Sequence, residues 1–151
     1  MIREAIPEDY FNLLDVQIAC VRSLVGTYTV DETESWVRYI ENDGPDRYGN
    51  YTNHVSVGDD GRINGFVSET HTSDQLSAAI ECLYVLPSDR GRRIGYLLLE
   101  EAEAHIPEGS MVRIRSTLNA VPFYESHGYR RVGNALSRAG LSIGLLEKRL
   151  H

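Results

Sequence analysis

Apolar positions along the chain change their period several times, and each change marks a new element. Ile2 to Ala5 alternates weakly and predicts a short first strand. Pro7-Glu8-Asp9 is a helix start, with proline in the first turn and two acids complementing the dipole. Phe11, Leu14, Ile18 and Val21 then recur at helical spacing. A second helix is predicted over Asp31 to Glu41, capped by Asp31 or Thr33, with Trp36, Val37 and Ile40 facing inward. Residues 42–53 read as loop.

The rest of the chain is more strongly patterned. His54 to Val57 and Ile63 to Thr70 flank Gly58-Asp59-Asp60-Gly61, a hairpin with turn residues at its tip. Ala78 to Leu86 is apolar and β-branched enough for a central strand, and Pro87 ends it. Ile94 to His105 is the clearest helix, with Ile94, Leu97, Leu98, Ala102 and His105 on one face and Ile106-Pro107 as the stop. Met111 to Thr117 alternates Val112 and Ile114 against Arg113 and Arg115, a strand. Pro122 to His127 is a short helix closed by Gly128, and Tyr129 to Val132 with Ser142 to Leu150 makes a closing strand pair. The order is β-α-α-β-β-β-α-β-α-β-β. Residues 78–117 form a crossover unit with parallel strands, and the remainder is antiparallel. The fold class is therefore α/β, a mixed sheet of about seven strands flanked by four helices, in one domain over residues 1–151.

Composition narrows the function. The chain has 151 residues, 42% hydrophobic and 25% charged, which are globular values. No apolar run approaches the length of a membrane span and the polar start is no signal peptide, so a cytoplasmic protein is expected. A net charge of −7 argues against nucleic acid as a partner. Cys20 and Cys82 read as buried free thiols. The five histidines show no ligand spacing with one another or with the cysteines, so no metal is expected.

One stretch runs against the acidic background. In Leu83-Tyr84-Val85-Leu86-Pro87-Ser88-Asp89-Arg90-Gly91-Arg92-Arg93-Ile94-Gly95-Tyr96 a strand ends, a glycine-containing loop follows, and a helix begins at once. The first N–H groups of that helix have no internal partner, and flanking arginines add charge, which makes a phosphate site built from backbone. It is neither a P-loop nor a dinucleotide fingerprint.

With these residues in view, the sequence resembles the GCN5-related N-acetyltransferases. Their acyl-CoA signature is Gln/Arg-x-x-Gly-x-Gly/Ala after a Val-x-Pro step. Arg90, Ile94 and Gly95 fit it, and Arg93 replaces the internal glycine. A second signature is matched by Ala120, Phe123, Tyr124, Glu125, Gly128 and Tyr129, in the family's order and separation. The resemblance implies a sheet splayed at an acyl-CoA cleft, with acetyl-CoA as acetyl donor and no metal. The pyrophosphate would lie on the amides of Gly91, Arg92, Arg93, Ile94, Gly95 and Tyr96, beside Arg90. Leu83, Tyr84 and Val85 would pair with the pantetheine arm like an added strand, and the Leu83 amide would face the thioester carbonyl. The family's asparagine position falls on Thr117, with Asn119 two further on, and either side chain fits the pantetheine contact.

Acetyl transfer to an amine needs one proton removed and one delivered. Tyr124 matches the family's general acid, although taken alone it reads as a packed aromatic. Glu81 is placed with Leu83 and Val85 by period two and is the candidate base, its pKa raised beside an apolar cleft; Glu69 and His71 are the reserves. The acceptor, an amine of unknown identity, would enter from the side of residues 22–51, where Tyr28, Trp36, Tyr39, Tyr48 and Tyr51 concentrate aromatics. The alternatives are a catalytically silent acyl-CoA-binding module and a protein acetyltransferase. The C-terminal strands of the family often support a homodimer, while Leu145, Leu146 and Leu150 fit a core role equally well.

Overall fold

In the computed structural model, which describes residues 1–151, the predicted element order is reproduced. The strands are β1 (Ile2–Glu4), β2 (Thr52–Val57), β3 (Ile63–Thr72), β4 (Ser77–Val85), β5 (Met111–Thr117), β6 (Arg130–Leu136) and β7 (Ser142–Arg149). The helices are α1 (Tyr10–Arg22), α2 (Val30–Asp43), α3 (Ile94–Ala104) and α4 (Val121–Glu125). One seven-stranded sheet runs β1-β2-β3-β4-β5-β7-β6. Only β4 and β5 are parallel, as the crossover rule requires of strands joined through α3. No helix is long and apolar enough to cross a membrane.

Helices cover both faces. On one, Leu98, Leu99 and Ala102 of α3 and Val121 and Tyr124 of α4 pack on Val67, Ala78, Ile80, Ile114 and Leu146. On the other, Leu13, Val16 and Cys20 of α1 pack with Tyr48 on Val55, Phe66 and Cys82. Each large apolar side chain so buried contributes roughly 1.5–3 kcal/mol. Leu146 and Leu150 are core residues of the first face.

The helix α2 starts on a capping box, Thr29 accepting from the Glu32 N–H while the Glu32 carboxylate accepts from the Thr29 N–H. The cap therefore lies just before Asp31 and Thr33. The stripe expected on α1 is displaced. Phe11 is exposed, and the buried face is Leu13, Val16, Gln17, Cys20 and Val21. Gln17 hid that face, because a buried glutamine reads as polar in sequence; its Oε1 accepts a 2.6 Å bond from the Tyr48 hydroxyl. In α3 the inward residues are Leu98, Leu99 and Ala102, with Leu97 exposed. Residues 45–50 of the expected loop form a 3-10 turn, and Thr52 and Asn53 belong to β2.

Two irregularities shape the cleft. Ser68 pairs with Cys82 but Glu69 pairs with Ile80, so Glu81 is an unpaired extra residue, a bulge in β4. The bulge reverses the alternation of faces. Ala78 and Ile80 before it, and Leu83 and Val85 after it, all join the α3-side core, whereas Cys82 and Tyr84 pack on the α1 side. The period-two placement of Glu81 with Leu83 and Val85 is thereby corrected. Beyond Ile80 and Ile114 the β4–β5 pairing stops, and residues 81–85 have no β5 partner. The sheet splays there.

Candidate active site

Two cavities meet in the splay. The first, of about 670 Å³, runs from the end of β4 over the loop into α3 and along α4. Of the residues expected at the acyl-CoA site, Leu83, Tyr84, Val85, Arg90, Gly91, Arg93, Ile94, Gly95, Tyr96, Thr117 and Asn119 all line it. Arg92 does not: its side chain is 71% exposed and reaches back to Asp89 at 3.7 Å. Thr117 and Asn119 both face the cavity.

The loop has the properties of an anion cradle. The six N–H groups from Gly91 to Tyr96 donate to no backbone carbonyl and to no side chain, and they cluster at the start of α3. Gly91 holds φ +85, open to glycine at no steric cost. Arg93, the helix cap, is left-handed too, with φ 62 and ψ 15. That conformation explains why a glycine is expected there. Its guanidinium stacks over the Tyr96 ring at 4.8 Å, which turns the side chain aside. A Cβ on Gly95 would meet Phe123 of α4 at 3.5 Å, an ordinary packing contact. Arg90 ties the loop inward, donating from Nε to the Val85 carbonyl at 3.3 Å and from Nη2 to the Ser23 hydroxyl at 3.4 Å.

The second cavity, of about 650 Å³, lies on the α2 side of the splay. Trp36, Tyr39 and Tyr51 line it, as expected for an acceptor wall, together with Glu81. Tyr28 and Tyr48 do not. Tyr48 is core, and the Tyr28 hydroxyl donates to the Ser142 carbonyl at 2.6 Å and accepts from the Leu118 N–H at 3.1 Å. Arg113 and Arg115, read only as the polar side of a strand, face this cavity, Arg113 from the last paired stretch of β5 and Arg115 from just beyond it.

Leu83, Tyr84, Thr117, Ala120 and Tyr124 line both cavities and so mark their junction. Tyr124 is 5% exposed and its hydroxyl makes no hydrogen bond within the protein. Burial pushes its pKa well above the ordinary tyrosine range, which keeps the proton on oxygen. Glu81 is exposed and accepts a 3.1 Å bond from the Thr70 hydroxyl, so the apolar burial expected for it is absent. Glu69 and His71 bond to each other at 2.9 Å and line neither cavity.

Sequence reasoning missed Cys20, Phe123 and His127 on the first cavity. The Cys20 thiol donates to the Val85 carbonyl at 3.2 Å, and burial raises its pKa to about 11. His127 lies inside the second signature, a helical turn after Phe123, on which it stacks at 4.5 Å, so its spacing could have flagged it. Away from the cleft, the fold brings His54 of β2 beside His105, rings 4.4 Å apart, with Glu101 next to both. No sequence spacing foretells that cluster, because it is assembled across the sheet–helix interface.

A family model described as an acetyltransferase (GNAT) domain matches residues 24–150. The chain belongs to the GNAT acetyltransferases. Its fold is similar to that of a GCN5-related N-acetyltransferase from Rhodopseudomonas palustris, with TM-score 0.84, 21% identity, and 99% of this chain and 95% of that one covered. It is also similar to the PaiA N-acetyltransferase of Thermoplasma acidophilum, solved with coenzyme A (TM-score 0.75, 22% identity, 99% and 98% covered). A third likeness is the phosphinothricin acetyltransferase of Sinorhizobium meliloti, solved with acetyl-CoA (TM-score 0.69, 18% identity, 99% and 88% covered). No curated protein matches the chain.

Proposed function

We propose that this chain is a cytoplasmic N-acetyltransferase that moves an acetyl group from acetyl-CoA to a primary amine of a small molecule or peptide. The carrying observation is Tyr124, a protonated hydroxyl without a protein partner at the junction of two cavities. One cavity offers six free amides for a pyrophosphate, and the other opens toward α2 for an acceptor.

The residues divide the work as follows. The amides of Gly91 to Tyr96 hold the phosphates, and the stretch Leu83 to Val85, unpaired on its β5 side, aligns the pantetheine arm, with Thr117 and Asn119 on the opposite wall. Binding both reactants in adjoining cavities turns a bimolecular encounter into an oriented one. Glu81, at the bulge, takes the proton of the attacking ammonium through water, since its carboxylate is exposed. The amine nitrogen forms a bond to the thioester carbon, whose oxygen the Leu83 amide faces, and the carbon–sulfur bond breaks. Tyr124 gives its proton to the departing thiolate, the second proton lost by nitrogen as the amide forms returns to Tyr124 through solvent, and the proton taken by Glu81 is released to water. The products are an amide and free CoA thiol.

Release of CoA thiol from acetyl-CoA across a panel of primary amines tests this. Amine-dependent release is expected. Tight CoA binding without release for any amine would mark a silent binding module instead.

A further inference from the structure

One cation in the acceptor cavity is buried with only a loose counter-ion. Arg47 sits on the 3-10 turn Pro45–Asn50, its side chain only 16% exposed, and it lines the α2-side cavity. Its Nε and Nη1 are buried and bond to nothing. The nearest carboxylate, Asp43, is 3.9 Å from Nη1, beyond hydrogen-bond range. The other arginines of the same cavity, Arg113, Arg115 and Arg138, are exposed to water, and Arg115 also donates to the Leu136 carbonyl at 2.9 Å.

Taking a guanidinium out of water without a partner is costly, and a folded protein rarely retains such a group without a use for it. Guanidinium donors match a carboxylate, which they bind in two-point contact. Glu81 and Tyr124 line the same cavity. Arg47 lines it with Glu81, so opposite charges border the same cavity. A molecule filling it would present an amine to Glu81 and Tyr124 and an anion to Arg47, with its remaining bulk on Trp36.

We propose that the acceptor is a small zwitterion, an amine that also carries a carboxylate, and that Arg47 binds that carboxylate and sets the preference. This rests on the transferase reading above, and the test separates the two. Trp36 is the single tryptophan and lines the cavity, so its fluorescence reports binding without turnover. L-phenylalanine and L-methionine are titrated into the CoA-loaded protein beside their decarboxylated amines, and all four are assayed for thiol release.

The amino acids are expected to bind and react at least about tenfold better than the matched amines. Arg47→Gln should erase that preference, lowering kcat/KM for the amino acids by about 10–100-fold, the worth of a hydrogen-bonded charge pair. Arg47→Lys should restore part of it. Because two of the three guanidinium nitrogens have no hydrogen-bond partner, Arg47→Gln should leave Tm unchanged or raise it. A fall in Tm with both substrate series weakened equally would make Arg47 structural and overturn the proposal. Equal or better use of the decarboxylated amines by the parent protein would also overturn it. If none of the four compounds releases thiol, the wider amine panel decides the transferase reading, and the titration alone decides the anion site. Arg47-dependent binding of the amino acids then upholds the anion site, and Arg47-independent binding or none refutes it.

Discussion

Replacing Tyr124 with phenylalanine removes one oxygen and nothing else. The ring keeps its edge contacts with Phe123 at 5.2 Å and Tyr129 at 5.9 Å. The hydroxyl has no protein partner, so its loss strands no donor or acceptor, and stability should stay within about 1 kcal/mol of the parent. CoA affinity, measured by calorimetry, should be unchanged, because the amides of Gly91 to Tyr96 are untouched. Turnover should fall about 10²–10⁴-fold, the range for a lost acid–base group. At 1.36 kcal/mol per decade that is about 2.7–5.4 kcal/mol on the barrier. Thiol release with saturating amine reads the effect directly. A rate within a factor of three of the parent would refute the acid role. The pH dependence carries a second check. Burial raises the Tyr124 pKa, so the acid stays protonated at the ordinary tyrosine value and kcat should show no alkaline limb below about pH 10. The sign for stability follows. A group whose folded pKa is raised contributes fully below its unfolded pKa of about 10, and that contribution is lost as pH climbs toward the folded value.

Arg93→Gly relieves a left-handed cap at the expense of the Tyr96 stack, and should stabilise by about 1 kcal/mol, raising Tm by about 2–4 °C in a thermal melt. An unchanged or lower Tm would show that the stack outweighs the strain. Gly65→Ala sets a Cβ 2.9 Å from the Tyr84 carbonyl oxygen, a backbone atom that cannot yield, and should cost about 1–3 kcal/mol in urea unfolding. A denaturation midpoint equal to the parent's would contradict it. Cys20, with a pKa of about 11, should be only about one part in a thousand thiolate at pH 8. Its alkylation by iodoacetamide, followed by mass spectrometry, should be slow and further slowed by CoA; rapid labelling at pH 8 would place the thiol outside the first cavity.

The sequence disclosed the scaffold because its elements carry their own periodicity and punctuation. Met111–Thr117 alternates so regularly that its predicted bounds coincide with β5, and the loop from Arg90 to Tyr96 announces itself by glycine and charge. The acceptor side was less legible for reasons of physics. The Glu81 bulge shifts the face parity of β4 by one residue, and nothing in Ala79-Ile80-Glu81-Cys82 differs from a regular strand. Gln17 and Tyr48 satisfy each other in the core, so a polar side chain looked exposed and an aromatic looked available. Arg47 owes its setting to contacts between a turn and distant strands, which no local window contains.

The splay leaves the sheet with two inner edges facing one another, each bearing ladder groups that could close on the other as readily as on any visiting chain. One detail stands against that self-zippering. The extra residue at Glu81 puts the second half of β4 out of step with β5, so the two edges present mismatched rows of donors and acceptors. The opening is thus a fixed interruption, kept from healing by one surplus residue. A guest entering it displaces no strand and waits for no hinge.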